Sequence, residues 1–242
     1  MSVLTLRLAG PLQAWGASAR FTRRTTESAP TKSGVIGMLA AAQGIQRGDD
    51  AALARLSALR FGVRIDQPGT RLRDFQTAHH ADTDKSMPLS ERFYLADAVF
   101  VTALEGDGTL LDELHGALRA PVYLPYLGRR SCPPSHPVEL ALHDDGELHQ
   151  ALSDEPWQAA RWYRKQYRQA SVPLVVLREA RPDEEHAEVL RDQPLSFAAE
   201  HRRHALRSVV RTTVDVPNPQ AATPTRSAPS HDPFAALQEE SA

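Results

Sequence analysis

Val3-Leu4-Thr5-Leu6-Arg7-Leu8 alternates apolar with polar side chains at a period of two and is closed by Gly10-Pro11, the pattern of a strand with one buried face. This opening strand, together with the helix behind it, limits the fold more than any other feature. A loop rich in Arg, Thr and Ser leads to Thr31 or Ser33, either of which can cap a helix over 34–43 that stops at Gly44. A second helix at about 50–59 puts Leu53, Leu56 and Leu59 on one face and precedes a strand at 61–66. Residues 93–104 read as one strong strand, 110–118 as a short amphipathic helix ended by Arg119-Ala120-Pro121, and 138–142 as a fourth strand. The order β-α-β-β-α-β is the split β-α-β, ferredoxin-like plan, whose open sheet face also serves RNA-recognition domains. The predicted class is α+β.

Residues 67–92 differ in texture. They run from the turn Gln67-Pro68-Gly69-Thr70 through a polar stretch with His79 and His80, and they read as an exposed hairpin. Beyond Asp144 the pattern weakens. Residues 155–169 suit a basic, aromatic helix or a linker, while 172–178 and 208–214 are strands of a small second domain or of a sheet extension. From Val216 onward the chain carries five of its 18 prolines with little apolar bulk beyond Phe234 and Leu237. Such a composition does not offset the entropy of ordering, so 216–242 is expected to be a disordered tail. The division is 1–145 as the main domain, 146–215 as a small β-rich C-terminal part, and then the tail.

Charge narrows the function. The 28 basic residues nearly balance 30 acidic ones, and only three of the 28 are lysines. Positive charge is thus carried by arginine, the cation suited to forked phosphate contacts and to stacking, although a high-GC genome gives the same bias. It is also segregated: residues 1–48 hold six basic residues and one acid, Glu27. The single Cys132 excludes an internal disulfide or a multi-cysteine zinc site and fits a reducing compartment, with the cytoplasm as the expected location. Residues 1–16 lack the features of a signal peptide, and the longest apolar run, 35–42, is too short to span a bilayer. Walker, dinucleotide-binding, nucleophile-elbow and zinc-protease motifs are absent.

Two segments carry chemistry. The first, Arg20 to Gly34, joins an arginine cluster to a helix start, where free N–H groups, Lys32 and the hydroxyls of Thr31 and Ser33 form either an anion site or an ordinary cap. The second, Tyr126-Leu-Gly-Arg-Arg-Ser-Cys-Pro-Pro, sets Arg129 and Arg130 between a flexible glycine and a rigid Pro-Pro. Such a loop can aim both guanidinium groups with little entropy to lose, or simply expose two charges at a turn. Cys132 has no base placed beside it, and the ten histidines have no ligand companions at metal spacing. Arg161, Arg164, Lys165 and Arg168 among Trp157, Trp162, Tyr163 and Tyr167 suit either a nucleic-acid face or a helix buried by its aromatics.

Leu6 to Gly16, Pro30 to Ile45, Leu72 to Thr77, Arg92 to Phe100 and Tyr126 to Pro133 resemble, in order and spacing, blocks of the CasD family of type I-E CRISPR Cascade. The resemblance thins after about residue 145. It implies a ferredoxin-like domain of the RAMP type, with a β-hairpin thumb that maps onto 71–92. It also implies a non-catalytic subunit that caps the 5′ handle of the crRNA, touches the backbone subunit CasC and seats the large subunit CasA for interference with target DNA. No cofactor, metal or membrane is implied.

On that footing Arg20, Arg23, Arg24, Lys32, Ser33 and Gly34 are expected to neutralise phosphates. Gln13, Trp15, Phe75, Arg92, Tyr94, Arg129 and Arg130 are expected to stack on bases or read their edges. Arg71 and Arg73 on the thumb, with Gly128 and Ser131 beside the arginine pair, complete the expected RNA-binding set. Two readings compete: a metal-independent endoribonuclease using His79, His80, Tyr94 or a lysine, and a protein-interaction module with little RNA affinity.

Overall fold

A computed structural model describes residues 1–16, 23–184 and 187–221. The chain is a mixed α/β structure with two antiparallel-dominated sheets and few helices. The first strand, β1 (Ser2–Ala9), lies inside a seven-stranded sheet. It pairs antiparallel with β7 (Val99–Gly106) on one side and with β8 (Glu139–His143) on the other, and β4 (Arg60–Gln67) lies beyond β7. Helices α1 (Lys32–Ala42) and α2 (Asp50–Ser57) connect β1 to β4, and α3 (Gly108–Arg119) connects β7 to β8. Each helix starts on a side-chain cap from Thr31, Asp49 or Asp107.

Both faces of this sheet are buried, where the sequence pattern suggested one. Leu4, Leu6 and Leu8 pack with Val35, Ile36 and Leu39 of α1 and Leu111 and Leu114 of α3. Val3, Val101 and Ala103 face the other way, onto Leu148 and Leu152 of α4 (Leu148–Asp154) and onto Trp157. Arg64 straps this second layer down. Its guanidinium binds Asp66 at 2.7 and 3.0 Å and donates to the carbonyls of Leu152, Glu155 and Pro156 at 2.6 to 2.9 Å. The sheet face opposite α1 and α3 is therefore covered by the chain itself.

Residues 93–104 form two strands. β6 (Ser90–Ala96) ends and β7 begins across Asp97, whose φ is 56°. The partner strand breaks at the same level, between β4 and β5 (Thr70–Gln76), through Gly69 at φ 70°. A Cβ on Gly69 would sit 2.5 Å from the Ala96 carbonyl oxygen, so only glycine fits. β5 and β6 thus leave the main sheet as an exposed hairpin, paired from Thr70 opposite Ala96 to Gln76 opposite Ser90. β2 (Leu12–Gln13) and β3 (Arg23–Arg24) pair with β6 on its other side.

The C-terminal region extends the main sheet. β9 (Ser171–Glu179) pairs with β4, β11 (Arg203–Pro217) with β9, and β10 (Glu188–Ser196) forms the edge. Of 155–169 only Arg161–Arg164 is helical, and Trp157, Tyr163 and Tyr167 cluster edge to face or tilted at 5.3 to 6.2 Å. The onset of the expected tail is corrected. Val216 is wholly buried in β11, and the Asn218 amide donates to the carbonyls of Arg164, Tyr167 and Gln169. The rest of that segment, 222–242, lies outside the described residues.

Candidate nucleic-acid interface

The base of the thumb gathers arginines from three parts of the chain. β3 lies parallel to β6 with Arg24 level with Arg92. The loop 126–132 is closed by hydrogen bonds from Leu127 N to Cys132 O (2.7 Å) and from Cys132 N to Arg129 O (2.8 Å), and is pinned to the 14–15 segment by Ala14 N to Leu127 O (3.1 Å). Gly128, at φ 84°, makes that approach possible, since a Cβ there would lie 1.8 Å from the Ala14 carbonyl oxygen. The loop delivers Arg129 onto the Tyr94 ring at 4.6 Å, with Nη2 donating to the Arg24 carbonyl at 2.9 Å. Arg129 Nη1 and Arg92 Nε are both buried and have no hydrogen-bond partner among the described residues. An unpaired buried N–H costs about 1–3 kcal/mol, more on a charged group. Arg7, Arg164, Arg178 and Arg207 also carry such an atom, but Arg92 and Arg129 are the two on the basic, aromatic side of the thumb base.

Further out on the thumb, Phe93 is flanked by Arg23 at 5.4 Å and Arg71 at 5.9 Å, and Arg71 also donates to the Thr26 carbonyl at 2.6 Å. Arg73 lies over the half-exposed Phe75 ring at 4.7 Å and pairs with Glu91, which Arg23 also approaches. These are cation–π and ion-pair contacts at an exposed surface, individually weak but collectively a basic, aromatic band. Arg130 and Ser131 are exposed on the loop, whereas Arg20 lies outside the described residues.

Several expected contacts are internal instead. Trp15 is fully buried, and its indole N–H donates to Gln13 Oε1 at 3.0 Å. Gln13 in turn donates to the carbonyls of Leu8 and Ala98 at 3.0 and 2.8 Å, so this buried pair ties β1 to the thumb base. Tyr94 is likewise buried, beneath Arg129. Lys32 is 2% exposed and holds Glu179 at 2.7 Å. Burial pulls its pKa down while Glu179 pulls it back. The helix start expected to hold a phosphate already holds a carboxylate, since Lys32 N donates to Asp192 Oδ2 at 2.8 Å. Ser33 is buried against Thr31, and Gly34 is small because a Cβ would meet the Trp15 ring at 2.8 Å. Cys132 is fully buried, and burial raises its pKa, which disfavours the thiolate.

A second group of cations was not singled out by the sequence. Arg191 on β10, Arg202 beside β11, and Arg207 and Arg211 within β11 line a cleft of ≈ 1350 Å³ that Arg24 and Arg129 close from the opposite side. The spacing of Arg203, Arg207 and Arg211, four residues apart on a strand of period two, is the signal that puts them on one face.

The family model described as CRISPR-associated protein (Cas_Cas5) matches residues 3–210. The CRISPR system Cascade subunit CasD of Escherichia coli (strain K12) is 41% identical over 169 residues, covering 62% of this chain and 75% of that protein. A solved CRISPR RNA-guided surveillance complex contains a chain of 36% identity and TM-score 0.73, with 93% of this chain and 95% of that one covered. A second structure, described as a Cas protein, matches at 35% identity and TM-score 0.67 over 90% of this chain and 97% of that one. With a match spanning nearly the whole described fold, this chain belongs to the Cas5 family of CRISPR-associated proteins.

Proposed function

We propose that this protein is a non-catalytic crRNA-binding subunit of a type I-E Cascade surveillance complex. In this reading it works in the cytoplasm, caps the 5′ handle of the crRNA, lies against the backbone subunit CasC and seats the large subunit CasA for target-DNA interference. The order β4-β7-β1-β8, with helices between its outer and inner strands, supports reading the first part as a ferredoxin-like domain of the RAMP type. Similarity to the E. coli Cascade subunit and to a chain of the surveillance complex supports the assignment to Cascade.

The single observation that carries the RNA reading is the pair of buried guanidinium N–H groups on Arg92 and Arg129. A phosphate at the thumb base would satisfy both with charge-assisted hydrogen bonds. Arg23, Arg24, Arg71 and Arg130 would then neutralise neighbouring phosphates, and Phe75 offers an exposed ring for a base. Of the groups considered for RNA cleavage, Tyr94 is buried under Arg129, while His79 and His80 are exposed and make only local contacts, with Asp84 and Asp82 at the hairpin tip.

The test is nuclease protection of crRNA in a reconstituted complex. Arg92→Ala with Arg129→Ala should expose the 5′ handle while the spacer stays protected by the backbone. Unchanged handle protection would overturn the reading.

A further inference from the structure

A groove of ≈ 870 Å³ adjoins the ≈ 1350 Å³ cleft, sharing Gly128, Arg202 and His204 with it, and runs along α1 past Gly34, Gly37 and Ala41. Its charge has one sign. Arg47, Arg130 and Arg202 line it, all exposed, and no aspartate or glutamate does so among the described residues. The same groove has an apolar side, made by Ile45, Phe197, Tyr123 and Leu124. Leu124 is 80% exposed, more than any other large apolar side chain among the described residues, and Tyr123 is 54% exposed.

This apolar side is fixed in advance. Val122 N donates to the Ala42 carbonyl at 2.9 Å and Tyr123 N to the Ala41 carbonyl at 3.3 Å, which ties 122–123 to the last turn of α1. Gly44, at φ 76°, leaves room for Val122, whose methyls would stand 3.1 Å from a Cβ there. An apolar surface held in place loses little entropy when it is covered. Bordered by charges of a single sign, it selects an occupant that is apolar and acidic together.

A second copy of the chain offers no such occupant through the same face, because two such grooves would set arginine against arginine. Residues 232–242 do. They carry Asp232, Glu239 and Glu240 and no Lys or Arg, with Phe234 and Leu237 as their large apolar side chains. The distance also fits. β11 ends at Pro217 opposite Ser171, and in the order β11-β9-β4-β7-β1 it lies four strand spacings from β1, about 19 Å at about 4.8 Å each. Beyond β1 the chain passes through Ala14 and Trp15, which line the groove. Residues 222–233, which join Ala221 to Phe234, span up to about 40 Å when extended. A segment tethered at that range meets the groove at an effective concentration of about millimolar, so even a contact of modest strength is populated.

We propose that residues 232–240 dock in this groove, with Phe234 and Leu237 on its apolar side and Asp232, Glu239 and Glu240 among Arg47, Arg130 and Arg202. The proposal goes beyond the RNA reading and does not depend on it. It needs only this chain, and it gives Leu124 and Tyr123 a cover.

The test is photo-cross-linking of the full-length chain with p-benzoylphenylalanine in place of Phe234, the products separated by size and mapped by mass spectrometry. Cross-links within one chain to 40–47 and 122–130 are expected. The charge reversal D232R/E239R/E240R should lower their yield about five-fold, the size of a few exposed ion pairs. Adding R47E/R130E/R202E to the same chain should restore it. High salt should lower the yield of the unreversed chain in the same way, a measurement that needs no change of charge in the protein. Circular dichroism reports whether each variant is folded. Absence of cross-links, cross-links outside the groove, cross-links only between two chains, or a yield indifferent to both charge reversal and salt would each overturn the docking.

Discussion

The Arg129 guanidinium lies 4.6 Å from the centre of the Tyr94 ring and at the same time donates to the Arg24 carbonyl at 2.9 Å. One side chain thereby joins the 126–132 loop, the thumb and β3, and it still holds a buried Nη1 with no partner among the described residues. Most of its ordering entropy is lost before any ligand arrives, so the remaining N–H can contribute nearly its full strength to binding.

Arg129→Ala should weaken handle RNA binding by about 10- to 100-fold, the size of one charge-assisted contact. Arg129→Lys should recover only part of it, because an ammonium lacks the fork that reaches the Arg24 carbonyl and a phosphate together. Anisotropy titrations of the two variants at one salt concentration check both statements.

Trp15→Ala should act on stability. The ring is fully buried against Gly34 and its N–H is spent on Gln13, so truncation should cost about 3–5 kcal/mol and lower the melting temperature. A base-stacking role would instead show as lost RNA affinity at unchanged melting temperature. Thermal denaturation run beside RNA titration separates the two.

Lys32→Ala removes one partner of a buried pair and leaves Glu179 without its cation at 2.7 Å. Loss of about 3–5 kcal/mol of stability is expected. RNA affinity per folded molecule should stay close to wild type, since Lys32 is turned inward. Denaturant unfolding with the RNA titration normalised to the folded fraction measures this.

His204 lines both grooves, and burial holds its pKa below the ordinary value of 6.5, opposed by Asp192 and assisted by Arg202. Between the folded pKa and 6.5 the unfolded chain binds the proton more readily. Stability therefore falls as pH drops through that window and is flat with respect to this group above it. Histidine-resolved NMR titration should give the lowered value, and His204→Gln should reduce the pH dependence of unfolding just below pH 6.5.

The elements that sequence reading found are those whose period and caps act locally: β1, the helix capped by Thr31, the helix over 110–118 and the exposed hairpin. It missed β10 because Asp192 and Pro194 interrupt the strand pattern, and Asp192 is buried only because Lys32 N and Arg207, both distant in sequence, meet it there. The same reason explains the site. Arg129 and Arg92 enter the proposed site because loop chemistry and family blocks mark them and the fold brings both to the thumb base. Trp15, Gln13 and Tyr94 looked like exposed recognition groups because nothing local shows that the 126–132 loop closes over them. The cleft arginines on β11 needed the sheet extension to be seen at all.

In the proposed reading the chain binds the crRNA handle and does not cut RNA. A gel assay of purified protein with end-labelled repeat RNA and with pre-cut 5′-handle RNA in EDTA, reading shift and cleavage together, decides between binding and cutting. A selective shift of the handle RNA with both RNAs intact is expected. Cleavage at a single site, lost in a His79/His80 or Tyr94 variant, would contradict it.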